Sequence, residues 1–137
     1  VAASAAELAA DIAPFRALAD CGAWAMTAHI LYPAWDAQRP ATLSPAVIER
    51  VIRGEIGFDG VLVSDDLAMG AVQGLANDLA GATIAAGCDL VLHCTGVLAE
   101  MAAILHACPP VSEAALRRLA AARAARNRAR LPAAVVA

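Results

Sequence analysis

Two carboxylates, Asp65 and Asp66, stand side by side where an apolar run, Val61-Leu62-Val63, gives out after Gly57-Phe58-Asp59-Gly60. The run is too short and too rich in β-branched residues for a helix, and glycines punctuate its start, so it is predicted to be a buried strand. A carboxylate at the carboxyl end of such a strand sits where α/β barrels gather their catalytic groups. Side chains alternate along a strand, so the two acids point in different directions if the extended backbone persists through both, and only one leads the chemistry. Asp is also a favoured helix N-cap. Each reading can hold for a different member of the pair.

The elements that must position these acids follow from periodicity and turn chemistry. Residues 4 to 20 place Leu8, Ile12, Phe15 and Ala19 on one face, which predicts a helix running through Pro14 to Cys21-Gly22. Residues 23 to 27 form a predicted strand that opens into a polar loop from His29 to Thr42, with Trp35-Asp36 inside it. Ser44-Pro45 starts a helix that ends near Gly57, with serine as cap and proline in the first position. After the strand at 61 to 64 come a helix from about 76 to 86 closed by Gly87 and a strand at 89 to 94. Helices at 97 to 107 and 112 to 129 are separated by Pro109-Pro110. Strands and helices alternating at this spacing predict an α/β fold of βα units with parallel strands.

Composition narrows the partners. The 137 residues are 61% hydrophobic but only 4% aromatic, which favours small-residue helix packing over a large aromatic binding face. No stretch reaches the roughly 18 apolar residues of a membrane span, and no charged segment followed by an apolar core opens the chain. Net charge is −3, with arginine as the only basic residue. Six of the ten arginines (117, 118, 123, 126, 128 and 130) fall on the last predicted helix. They are read as a solvated face that complements the helix dipole; an acidic total argues against nucleic acid as a partner. Cysteines 21, 88, 94 and 108 form no Cys-x-x-Cys pair. A zinc set drawn from Cys88, His93, Cys94, His106 and Cys108 matches no standard spacing, so no metal site is expected and reduced thiols are the simpler account.

Taken together, Gly57-Phe58-Asp59-Gly60, Ser64-Asp65-Asp66-Leu67-Ala68-Met69, Met26-Thr27-Ala28-His29-Ile30-Leu31-Tyr32-Pro33 and Leu43-Ser44-Pro45 resemble the β-N-acetylhexosaminidases of glycoside hydrolase family 3. The resemblance runs from about residue 5 to the last helix. It implies a partial (β/α)8 TIM barrel in which the three strands are the last three, the sixth to the eighth. A whole barrel takes about 250 residues, and the chain opens on Val1. Residues 1–137 are therefore expected to be the C-terminal portion of the catalytic barrel domain, with open sheet edges on both sides that permit self-association.

By the same resemblance Asp65 maps onto the nucleophile, and Asp66 becomes a supporting or capping neighbour. His29, ending the adjacent strand, would line the pocket and touch substrate or Asp65, or else hold the loop behind it. Met69 would wall the sugar or its acetamido group, or fill space beneath a loop. His93, Tyr32, Trp35 and Asp36 border the same mouth, or pin its loops. The family's acid/base resembles a histidine in a Lys-His-x-Pro-Gly-x-Gly region with an Asp-x-His loop after it. Neither pattern occurs here, and His29, His93 and His106 lie in other contexts, so the acid/base is expected upstream of Val1.

The implied activity is a retaining glycosidase that removes terminal β-N-acetylglucosamine from muropeptides or chitooligosaccharides, with no metal or organic cofactor. An N-acetylglucosamine-containing glycan would be its partner. Peptidoglycan recycling, with which the family is associated, would place it in a bacterial cytoplasm. The β-glucosidase branch usually has tryptophan after the nucleophile, where this chain has Asp66. An alternative of another class is a noncatalytic α/β fragment that assembles with a second copy or a complementary half-barrel.

Overall fold

The computed structural model describes residues 1–129, with side chains through Arg126. Three parallel strands, β1 (Ala25–Met26), β2 (Leu62–Asp66) and β3 (Leu90–Leu92), lie side by side in chain order. Around them run α1 (Ala5–Asp11), α2 (Ala13–Ala17), a π-helix (Ala46–Glu55), α3 (Leu79–Ala86), α4 (Leu98–Ala107) and α5 (Glu113–Ala129).

The single helix expected over residues 4 to 20 is two short ones. Ser4 and Glu7 cap α1 reciprocally, and the winding breaks at Ile12 because Pro14 has no N–H to give to the preceding turn. The first strand is narrower than residues 23 to 27, although Ala25 and Thr27 donate their N–H groups to the carbonyls of Val61, just before β2, and Val63 within it. Ser44 caps as expected, its Oγ accepting the Val47 N–H at 3.1 Å. The helix beyond it is wound with wider turns, closing on an Ile56 N–H to Val51 carbonyl bond of 2.8 Å. α3 starts later than expected, at the Asp78 cap. It ends on Gly87 at φ +116°, where an added Cβ would lie 2.8 Å from the Ile48 side chain, so both conformation and packing require glycine.

The π-helix carries the core on two sides. Ile48 packs with Phe58, Leu62, Ala86 and Cys88 beneath the sheet, while Val47 and Val51 join Ile12 and Ala41 under the long loop. Burial alternates along β2: Leu62 and Ser64 are enclosed, and Val63 and Asp65 are half-buried. The second set faces away from the helix layer. Tyr32 and Trp35 pack against the loop cluster with their rings 5.2 Å apart, and Asp36 accepts from Gln38 N, Arg39 N and Ser44 Oγ. These residues pin the loop. The Ser44 hydroxyl first, then the Gln38 N–H, holds the Asp36 carboxyl below its ordinary range.

At the amino ends of the strands a nearly enclosed carboxylate, Asp89, collects three donors. Arg53 reaches its Oδ2 and Arg118 its Oδ1, both at 2.9 Å, and the Leu62 N–H also donates to Oδ2 at 2.9 Å. Arg118 extends further to Asp59 at 3.0 Å, so this arginine joins α5 to the sheet instead of lying on a solvated face. Arg117, Arg123 and Arg126 are exposed; the side chain of Arg128 and all of Arg130 lie outside the described residues.

Both flanks of the sheet are open. On one, α4 buries none of its residues, and Leu98 and Leu105 are 80% and 72% exposed. On the other, a hollow of about 630 Å³ lies between α1, α2, β1 and the π-helix, lined by apolar groups including Leu8, Phe15, Trp24 and Val47. Removing one partner from a buried ion pair costs about 3–5 kcal/mol. Asp89→Ala is therefore expected to lower unfolding free energy by about that much, read as a fall in denaturant midpoint at unchanged m-value.

Candidate active site

Asp65 and Asp66 end β2 at the same pole of the sheet as His29 after β1 and His93-Cys94 after β3, as parallel strands require. The register between β2 and β3 slips there. Val63 faces Leu90, but Leu92 faces Asp66, so β2 holds one residue more than β3 over the interval. Such a bulge kinks its strand and re-aims the side chains on it. Its local cause is Ser64, fully buried, whose Oγ accepts the Leu92 N–H at 3.0 Å and donates to the Asp65 carbonyl at 2.7 Å. The hydroxyl takes the place of a ladder partner.

The two acids do different work. Asp65 Oδ1 accepts the N–H of Asp66 at 2.8 Å, and among the described residues Oδ2 has no partner. Asp66 is spent on backbone: its Oδ1 accepts from Ala68 N at 2.9 Å and Cys94 N at 3.1 Å, which closes the turn after β2 and ties it to the end of β3. Both acids are half-buried and each keeps an Oδ2 without a partner among the described residues; they differ in that Asp66 Oδ1 takes two loop N–H groups, whereas Asp65 Oδ1 takes only the N–H of its neighbour.

His29 is engaged at both ring nitrogens, with Nε2 2.9 Å from the Asp66 carbonyl and Nδ1 2.8 Å from Thr42 Oγ1. Met69 is 45% exposed, and its N–H donates to the Asp66 carbonyl at 3.0 Å, which places it on the turn directly after the acids. His93 Nε2 lies 3.1 Å from Thr95 Oγ1 and 3.4 Å from Glu100, and its Nδ1 is buried without a partner among the described residues. His106 faces its own helix, with Nδ1 2.6 Å from the Ala102 carbonyl. Ser64 was not singled out by sequence reasoning as a site residue in its own right. The signal was only that a small polar residue stood inside an apolar strand.

The cysteines separate by environment. Burial pushes the Cys88 thiol up to about 12, in the core beneath the sheet. Desolvation first, then the negative charges of Asp66 and Asp65, raises Cys94, which is exposed at the mouth. Among the described residues no three His, Cys, Asp or Glu side chains are grouped as metal ligands. The large hollow does not include either acid, so the candidate site is defined by the convergent strand ends rather than by concavity.

The family model for the glycosyl hydrolase family 3 N terminal domain matches residues 3–126, and the chain belongs to that family. The fold class read from the sequence, a partial barrel of parallel βα units, agrees with this and with solved relatives. A glycoside hydrolase family 3 β-N-acetylglucosaminidase from Paenibacillus sp. str. FPU-7 matches all of this chain and 29% of its own at TM-score 0.79 and 34% identity. NagZ from Neisseria gonorrhoeae, solved with N-trifluoroacetyl-D-glucosamine, matches 95% of this chain and 40% of its own at TM-score 0.72 and 30% identity. Among curated proteins, a beta-hexosaminidase of Alkalilimnicola ehrlichii is 44% identical over 80% of this chain and 33% of its own length. The chain spans about a quarter to a third of the curated relatives it matches.

Two outcomes check this geometry. Ser64→Ala leaves the half-buried Leu92 N–H without its partner and is expected to cost about 1 kcal/mol, with faster amide exchange at Leu92 in native-state measurements. Under native conditions at pH 8, Cys88 is expected to resist iodoacetamide while Cys21 and Cys94 are alkylated, as peptide mapping would show.

Proposed function

We propose that residues 1–137 form part of the catalytic barrel domain of a retaining β-N-acetylglucosaminidase, with Asp65 as the nucleophile. The observation that supports this reading is the division of labour at the end of β2: Asp66 closes the turn through two N–H groups on its Oδ1, whereas Asp65 is held only by the N–H of its neighbour and falls in the half-buried set of β2 with Val63. Retaining hydrolysis needs a carboxylate beneath the anomeric carbon and a proton donor on the leaving-group side. In this reading Oδ2 bonds to the anomeric carbon as the glycosidic bond breaks, and Oδ1, still held by the Asp66 N–H, becomes the carbonyl oxygen of the glycosyl ester. Water then attacks the same carbon and returns the carboxylate. The proton donor comes from outside these residues, since the three histidines here are bonded to loop, helix or strand partners.

Met69, exposed beside the acids, is a wall for the sugar or its acetamido group. The substrate class, terminal N-acetylglucosamine on muropeptides or chitooligosaccharides, follows the names of the relatives, and a bacterial cytoplasm is the setting that peptidoglycan recycling would give. Assembly is a second reading, favoured by the open β1 edge and the apolar hollow beside it.

The test uses the active polypeptide that carries this sequence and a chromogenic N-acetyl-β-glucosaminide. Hydrolysis is expected, glucosides are expected to be poor substrates, and Asp65→Ala is expected to lower kcat by a factor on the order of 10⁴ or more, as loss of a nucleophile does. Activity that survives Asp65→Ala would remove Asp65 from the role.

A further inference from the structure

The main chain on either side of Asp66 is held at every polar atom, and one of the holding groups comes from the neighbouring strand. The peptide joining Asp65 to Asp66 has its carbonyl on Ser64 Oγ and its N–H on Asp65 Oδ1. The next peptide has its N–H on the Leu92 carbonyl at 2.9 Å and its carbonyl on both Met69 N and His29 Nε2. The β1 ladder stops with Thr27 N–H on Val63, so beyond that point β2 has no backbone partner on the β1 side among the described residues. His29 Nε2 bridges the two strands there.

We infer that His29 is a positioning residue for Asp65, acting as a neutral imidazole that donates from Nε2 to the Asp66 carbonyl and so fixes the residue whose own N–H holds the nucleophile. This rests on the assignment of Asp65 above. A carbonyl oxygen can only accept, so the Nε2 proton is set by geometry. The neutral ring then accepts at Nδ1 from the Thr42 hydroxyl, and Thr42 in turn accepts from Thr27 Oγ1 at 2.9 Å. Both threonines are buried, at 0% and 4% exposure, so water does not compete for either hydroxyl. The pair serves as a tautomer lock, and it joins the second site element to the 3-10 turn at Ala41–Leu43. With both nitrogens occupied by protein, the ring has no donor left for a sugar hydroxyl.

The experiment is done in the active polypeptide, with four variants and one spectrum. His29→Ala is expected to lower kcat on the order of ten- to a hundred-fold, the scale of a small misplacement of a reacting group, with KM unchanged. His29→Gln, whose amide N–H₂ can reach the Asp66 carbonyl, is expected to recover most of the loss. Thr42→Val keeps the shape while removing the donor to Nδ1, which covers the case of an alanine variant that does not fold; it is expected to lower kcat and to mix the tautomers. Long-range ¹H–¹⁵N spectra of the wild type are expected to show the Nε2–H form. A raised KM at unchanged kcat in His29→Ala, a Nδ1–H ring, or wild-type kcat in both His29→Ala and Thr42→Val would overturn the inference. Asp65→Ala separates the two claims: if that variant is inactive and the His29 and Thr42 variants are not impaired, positioning alone fails; if it is active, the nucleophile assignment fails.

Discussion

Asp66 is the residue on which the carboxyl pole of the sheet closes. Its carbonyl receives His29 from the end of β1, and its carboxylate receives the Cys94 N–H from the end of β3. Its own N–H occupies Asp65. The strand ladders are short, two residues for β1 with β2 and three for β3, so backbone pairing alone leaves the strand ends free to splay. A short acidic side chain that accepts two N–H groups from different loops holds them together, and charge-assisted bonds of this kind are about twice as strong as neutral ones. The consequence for the site is rigidity in the residue beside the acid, not in the acid.

The opposite pole is closed by the same device with the partners reversed. Asp89 gathers Arg53 from the π-helix, Arg118 from α5 and the Leu62 N–H from β2. Burial first and the like charge of Arg118 next pull Arg53 below its ordinary value, against the attraction of Asp89. One carboxylate shared between two guanidinium groups satisfies all three only in a single arrangement, so it sets how the outer helices sit on the sheet. The buried ion pairs lie at this pole, and the candidate site residues occupy the other.

Much of this was legible in the residues. Val61-Leu62-Val63 flanked by glycines marked β2, Ser44 marked the helix after the loop, and Gly87 marked the end of α3, because each of those signals is local. The family resemblance pointed to Asp65 before any geometry was known. What remained hidden depends on groups distant in the chain. Ser64 makes its bulge with Leu92, 28 residues away, and Arg118 finds Asp59 and Asp89 across 59 and 29 residues. No periodicity encodes such contacts. The reading of the last arginines as a solvated face therefore failed at Arg118, and the π winding after Ser44 had no local signal because it places the same apolar residues inward. His29 shows the same limit from another side: its position at a strand end was clear, but which atoms its ring would meet was not.

The apolar hollow beside β1 also bears on temperature. Phe15, Leu18 and Trp24 border that space and are each more than half exposed, so solvent on this flank meets hydrocarbon. Releasing such water is a driving force that is almost wholly entropic near 25 °C and fades on cooling. Whatever packs on this flank is accordingly held more loosely in a chilled solution than in a warm one, while the ion-paired pole at Asp89 does not share that dependence.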